Sequence, residues 1–259
     1  MKPLVKWPGG KRREIEKIEA HAPENFDLFI EPFVGAGAVF FHLNPQRAVI
    51  SDVHSELMNF YSQIAIGNGK EIHQLMSQRK NDEKTYLEIR DKFSPANDIE
   101  RAFKFFYLRK TCYRGMLRYN LKGGFNAGFG AYKTFKFYEL LDENYQTLLA
   151  RTGILNVSFE EIFRNFDSEN NFVFLDPPYD SEFTNYGYCK FGKPDHEKLA
   201  ECFKQTKNKC LMIIGETDFI REIYKDYIAD KYHQKYCFKF HSGRVGEEID
   251  RTHLIVRNY

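Results

Sequence analysis

The sequence predicts a doubly wound α/β sheet interrupted by a mostly helical insert. Short apolar runs that end in loop signals recur in both terminal parts of the chain, at 27–32, 48–52, 154–159, 172–176 and 210–215. Stretches of helical period lie between several of them, for example 195–206 and 219–227. From about 55 to 145 this alternation stops.

Each apolar run is short and unbroken, as expected of parallel strands covered on both faces. The last two runs, 231–240 and 252–259, alternate more and predict an antiparallel hairpin at the sheet edge. Within the insert, 72–79, 84–93 and 99–110 have helical period, and the glycine-punctuated segment 114–131 follows. There Tyr119-Asn120-Leu121-Lys122-Gly123-Gly124-Phe125-Asn126 predicts a hairpin turn.

At 259 residues and 42% hydrophobic content, the chain can bury one sizeable core and a smaller appended one. No apolar run approaches the roughly 20 residues that span a bilayer. Residues 1–11 lack the apolar centre of a secretory signal, so the expectation is a cytoplasmic protein without membrane contact. Five cysteines, Cys112, Cys189, Cys202, Cys210 and Cys237, show no C-x-x-C spacing, and the eight histidines form no H-E-x-x-H pattern. No disulfide framework and no metal site are expected.

The formal net charge of +2 conceals an uneven distribution. Between Arg101 and Lys136 stand nine basic residues, ten aromatics and no acid. A nucleic-acid partner would explain such a window.

The sharpest chemical signal is Phe172-Val173-Phe174-Leu175-Asp176-Pro177-Pro178-Tyr179, a strand running into an acid, two prolines and a ring. Consecutive prolines stiffen the loop and supply no amide hydrogens. A carboxylate and a neighbouring carbonyl can together accept both hydrogens of an aromatic amine and turn its lone pair toward an electrophile. Tyr179 can stack on the base that carries the amine. The plainer alternative is a strand terminator with Tyr179 in the core.

A second signal, Phe29-Ile30-Glu31-Pro32-Phe33-Val34-Gly35-Ala36-Gly37-Ala38, runs from a strand into a small-residue turn that lets a backbone approach a nucleotide. It lacks the third glycine of the dinucleotide fingerprint, which argues against a nicotinamide. Asp52 ends the next strand, where it suits ribose hydroxyls or an ordinary helix cap. The third signal is Lys6-Trp7-Pro8-Gly9-Gly10-Lys11, which suits either a ligand contact or a tryptophan that anchors the tail.

Taken in order, Lys6-Trp7-x-Gly9-Gly10-Lys11, Glu31-Pro32-Phe33-x-Gly35-Ala36-Gly37, Ser51-Asp52, a basic insert and Asp176-Pro177-Pro178-Tyr179 resemble the Dam-type alpha class of adenine-specific DNA methyltransferases. Tyr113-Arg114-Gly115-Met116-Leu117-Arg118-Tyr119-Asn120 and Phe125-Asn126-Ala127-Gly128-Phe129-Gly130 are similar to that family's DNA-reading hairpin, so the resemblance spans nearly the whole chain. It implies an S-adenosylmethionine-dependent, Rossmann-like catalytic domain from 1–55 and 146–259, with a target-recognition domain at 56–145.

The resemblance also implies site residues. Trp7, Lys11, Gly35, Gly37, Asp52 and Asp176 would hold S-adenosylmethionine, and Asp176, Pro177, Pro178 and Tyr179 would handle a flipped adenine. Lys6, Tyr113, Arg114, Met116, Arg118, Asn120 and Asn126 would meet double-stranded DNA, with Arg118 pairing to a guanine. The expected enzyme is monomeric in solution, with dimerisation on DNA left open. It belongs to the restriction-modification type, and GATC is the site suggested by analogy. The sequence departs from the family's best-known members at Arg114, where they carry Asn, and at Ala127-Gly128, where they carry Val-Pro. Methylation of RNA or of a protein amide, and a non-catalytic DNA-binding module, are the rival readings.

Overall fold

The computed structural model describes residues 1–120, 122–180, 190–239 and 245–259, with backbone alone for 235–239 and 245–250. Leu121, Cys189, Phe240 and the Cys237 side chain, which enter the expectations above, lie outside the described residues.

After a 3-10 turn at Lys11–Arg13, the chain forms α1 (Ile15–His21), β1 (Leu28–Glu31), α2 (Ala38–Leu43), β2 (Ala48–Ser51) and α3 (Ser55–Ala65). The insert continues through α4 (Gly69–Ser77), α5 (Glu83–Asp91) and α6 (Asp98–Thr111). Then follow α7 (Glu143–Ala150), β3 (Thr152–Leu155), α8 (Phe159–Asn165), β4 (Asn171–Leu175), α9 (Lys193–Gln205), β5 (Lys209–Gly215), α10 (Asp218–Tyr224), β6 (Ile228–Lys239) and β7 (Val245–Arg257).

The seven strands form one sheet in the order β3-β2-β1-β4-β5-β7-β6. The first five are parallel, and β7 runs antiparallel to both β5 and β6, which gives the expected edge hairpin. Side chains alternate across this sheet. Phe172 and Phe174 of β4 enter one apolar layer while Val173 and Leu175 enter the other, and β5 divides Leu211 and Ile213 from Cys210, Met212 and Ile214 in the same way. Both faces are therefore covered, as a parallel sheet requires.

The first layer runs without a break from the sheet into the insert. Phe29, Ile50 and Phe172 share it with Phe60, Met76, Tyr86, Phe103 and Phe106. Helix α3 joins the two, packing on α6, α7 and β3. The rings of Phe60 and Phe106 stack at 5.0 Å between centroids.

The third strand begins and ends earlier than the apolar run at 154–159 predicts. Ser51 Oγ donates to the Val157 carbonyl at 2.8 Å, and Asn156 Nδ2 donates to the Asp52 carbonyl at 2.8 Å. These bonds replace the ladder after Leu155 and release Phe159 to begin α8. Glu160 and Glu161 in its first turn suit a helix N-terminus.

The strand order reverses between β1 and β4, since β2 and β3 lie to one side and β5 to the other. In open α/β sheets the crevice beyond the strand ends at this point is where ligands bind. The segments that follow β1 and β4 are Glu31–Gly37 and Asp176–Tyr179, two of the three sequence signals.

Among the described residues, no helix is long and apolar enough to cross a membrane.

Candidate active site

Beyond β1 the backbone folds back tightly. The Gly37 amide donates to the Val34 carbonyl at 2.6 Å, and Gly35 and Gly37 adopt φ of +45° and +67°. A methyl group on Gly35 would lie 2.7 Å from Trp7 Cδ1, so only glycine lets the indole rest on this turn. Asp52, at the end of β2, holds the turn from the other side. Its Oδ2 accepts the Gly35 amide at 3.1 Å and its Oδ1 accepts the His54 amide at 2.9 Å. Burial pushes Asp52 up to about 6 against the pull of those amides.

Asp52 does not itself cap α3. His54 does, its Nδ1 accepting the Leu57 amide at 3.2 Å. In the neutral ring the hydrogen therefore sits on Nε2, which donates to the Tyr119 hydroxyl oxygen at 2.5 Å. Burial, with the nearby Arg109 charge, lowers His54 to about 4 and keeps that ring neutral near pH 7.

Beyond β4, Asp176 Oδ1 pairs with Lys11 Nζ at 2.7 Å, and the same ammonium donates to the Gly9 carbonyl at 2.8 Å. Lys11 is only 3% exposed, so its charge is held away from solvent at this contact. Burial raises Asp176 above the usual carboxylate range, and Lys11 opposes the rise. Lys11 Nζ also lies 5.1 Å from the centre of the Tyr179 ring, within cation–π range. The loop is pinned farther on by Thr217 Oγ1, which donates to Asp180 Oδ2 at 3.0 Å.

A cleft of about 430 Å³ brings Trp7, Lys11, Gly35, Gly37, Asp52 and the whole Asp176-Pro177-Pro178-Tyr179 loop onto one surface. Tyr179 lines it and is not lost in the core. Sequence reasoning missed several other lining residues, among them Glu31, Phe33, Phe159, Phe191 and Arg251. Phe33 meets Phe159 at 5.6 Å and Phe191 at 5.8 Å, which makes an aromatic notch.

Glu31 is 3% exposed and its Oε2 accepts the Phe40 amide at 3.2 Å. Burial, then the charges of Asp176 and Asp52, lift it well above the usual range. A readable signal existed, because the three adjacent strands β2, β1 and β4 each run into an acid, Asp52, Glu31 and Asp176.

The expected DNA-contacting residues lie outside the cleft, around the hairpin. Tyr119 and Phe125 are bridged antiparallel, and the Asn126 amide donates to the Arg118 carbonyl at 2.9 Å. Arg118 and Met116 are exposed, Tyr113 and Asn126 half-buried. Arg114 is exposed with left-handed φ of 51°, and its guanidinium lies 5.4 Å from the Tyr113 ring. Lys6 Nζ sits 3.6 Å over Tyr132. Asn120 serves the turn itself, its Oδ1 accepting the Lys122 and Gly124 amides at 2.9 Å each.

The acid-free window is not one basic face. Arg101 pairs with Glu56, Lys110 with Glu139, and Lys104 donates to the Phe93 carbonyl. Arg109 is 1% exposed, another residue that sequence reasoning missed. Its guanidinium donates to the carbonyls of Lys6, Gly115 and Met116 and lies 5.5 Å from the Trp7 ring, tying the hairpin to the tail. Arg114, Arg118, Lys122, Lys133 and Lys136 remain exposed.

A parallel sheet closed by an antiparallel edge hairpin, with an acid–proline–proline–aromatic loop at its switch point, defines a Rossmann-like methyltransferase. The family model of D12 class N6 adenine-specific DNA methyltransferases matches residues 7–239. The type II methyltransferase M.CviBI of Paramecium bursaria Chlorella virus NC1A is 53% identical over 261 residues, covering 100% of both chains. M1.LlaDCHI of Lactococcus lactis subsp. cremoris is 32% identical, covering 100% of this chain and 96% of its own. The DNA adenine methylase of Vibrio cholerae is 32% identical over 86% of this chain and 84% of its own. The chain belongs to the D12 class of N6 adenine-specific DNA methyltransferases. The family assigns DNA adenine as substrate, against the readings of an RNA, a protein amide or a non-catalytic module.

Proposed function

We propose that this enzyme draws its methyl group from S-adenosylmethionine held in the cleft and delivers it to an adenine turned out of duplex DNA. The residues present fit that cofactor. The Gly35–Gly37 turn, roofed by the Trp7 indole, lines the cleft with its backbone, Asp52 offers fixed acceptor oxygens suited to ribose hydroxyls, and the notch of Phe33, Phe159 and Phe191 suits a purine. Trp7, Lys11 and Asp176 complete the set. The cofactor, when bound, supplies an activated methyl on a sulfonium.

What remains for the chain is positioning. The Asp176 carboxylate and the Pro177 carbonyl accept the hydrogens of the adenine amine and aim its lone pair. Pro178 stiffens the loop, and Tyr179 stacks on the base. Extruding a base costs a few kcal/mol, and stacking on an aromatic ring returns about 1–3 kcal/mol. Residues 56–145 act as the recognition unit, with Lys6, Tyr113, Arg114, Met116, Arg118, Asn120 and Asn126 turned to DNA. The working form is a monomer in the cytoplasm of a bacterial or virus-infected cell, and modified-base sequencing tests whether its site is GATC.

The observation that carries this reading is the Asp176 carboxylate on the cleft surface, held by Lys11 at 2.7 Å. Asp176→Ala is expected to abolish incorporation of labelled methyl into DNA while DNA binding in a mobility-shift assay persists. Turnover within tenfold of the unaltered enzyme would overturn the assignment.

A further inference from the structure

Toward the antiparallel edge of the sheet lies a buried polar cluster that the proposed chemistry does not use. Glu14, Tyr232 and His253 are 4%, 7% and 0% exposed, and they come from the segment before α1, from β6 and from β7. Glu14 Oε2 accepts from the Tyr232 hydroxyl and from His253 Nδ1, the latter at 3.1 Å. Burial pushes Glu14 up, yet the hydrogen bonds from His253 and Tyr232 and the Lys11 charge outweigh it and hold the carboxyl below its ordinary range. A carboxylate can only accept, so Nδ1 of His253 carries hydrogen and the ring cannot rotate without losing that bond. A buried carboxylate is tolerated only when paired, and such a cluster fixes geometry more readily than it adds stability.

His253 also touches Tyr179. The two rings meet at 87° with centroids 5.2 Å apart. Across the sheet His253 pairs with Gly215, the last residue of β5. Gly215 approaches the same tyrosine so closely that a methyl group there would lie 3.1 Å from Cδ2. Neither Gly215 nor His253 lines the cleft, and the ring that both of them touch does, so that ring is their direct contact with it.

We propose that Gly215 and His253, the latter braced by Glu14 and Tyr232, form a seat that fixes the Tyr179 ring, and that they are positioning residues for methyl transfer. The inference rests on the reading of Tyr179 as the platform for the flipped base.

A double-mutant cycle tests it. Single-turnover methyl transfer to unmethylated genomic DNA is measured for His253→Ala, Gly215→Ala, Tyr179→Ala and the two doubles, beside calorimetric affinity for S-adenosylmethionine. Each single change is expected to slow transfer about tenfold or more, with cofactor affinity held within about twofold. Added to Tyr179→Ala, either seat change should alter the rate by less than about twofold, because the ring it acts through is gone. Seat variants at the unaltered rate, or effects that multiply fully in the Tyr179→Ala background, overturn the seat and leave the platform standing. Tyr179→Ala at the unaltered rate overturns the platform and the seat together. Should His253→Ala fail to fold, Gly215→Ala carries the test, since it keeps the Glu14–His253 pair and adds one methyl.

Discussion

Asp52 shows how one buried carboxyl serves two ends. Its oxygens close the glycine turn and steady the chain before α3, and they face the cleft. Burial raises it from an ordinary 3.8 to about 6, so acidification below about pH 6 adds a proton and removes an acceptor. Affinity for S-adenosylmethionine should therefore fall as pH drops from 7.5 to 5, and Asp52→Asn should bind weakly at every pH without that limb. Calorimetric titration across the range checks both. For stability the sign is opposite. Between 3.8 and about 6 the folded state holds a proton that the unfolded chain has lost, so the contribution of Asp52 falls as pH rises through that window. His54, lowered from 6.5 to about 4, works the other way, because the unfolded chain binds the proton first and stability rises with pH through that window.

Among the elements, the hairpin and α3 make separate predictions. Arg118→Ala should relax discrimination at one guanine, at a cost of about 1–3 kcal/mol, read by methylating a library of randomised duplexes. An unaltered preference would count against its role in reading bases. His54→Ala removes the cap of α3 and the bond to Tyr119, and should lower stability by about 1 kcal/mol in urea unfolding. The strands and the acid loop were legible in the sequence because each is a local pattern of apolar period and turn residues. The contacts of Arg109 with Lys6 and of Glu14 with His253 were not, because their partners stand 103 and 239 residues away. The end of β3 misled for a related reason: the apolar pattern runs on through Val157, and only the bonds from Ser51 and Asn156 show where the ladder stops.

At the scale of the molecule, one apolar layer joins the sheet to the insert, so the two form a single folding body. Calorimetry should show one unfolding transition. Phe106→Ala, which empties a fully buried site against Phe60, should cost about 3–5 kcal/mol and shift that transition whole. Two resolved transitions would show that the insert unfolds by itself. Composition foretold a core of this size, but not that insert and sheet would share it, since apolar content carries no record of which faces meet.

The fastening of the hairpin by Arg109 has a consequence for which of its residues are free to vary. Among the described residues, the oxygens it binds are main-chain carbonyls, which every amino acid possesses. Exposed side chains of the loop, such as Arg118 and Lys122, can therefore be exchanged while the socket keeps its grip, whereas Gly115, with φ of +65° and packed on Lys6, must stay glycine.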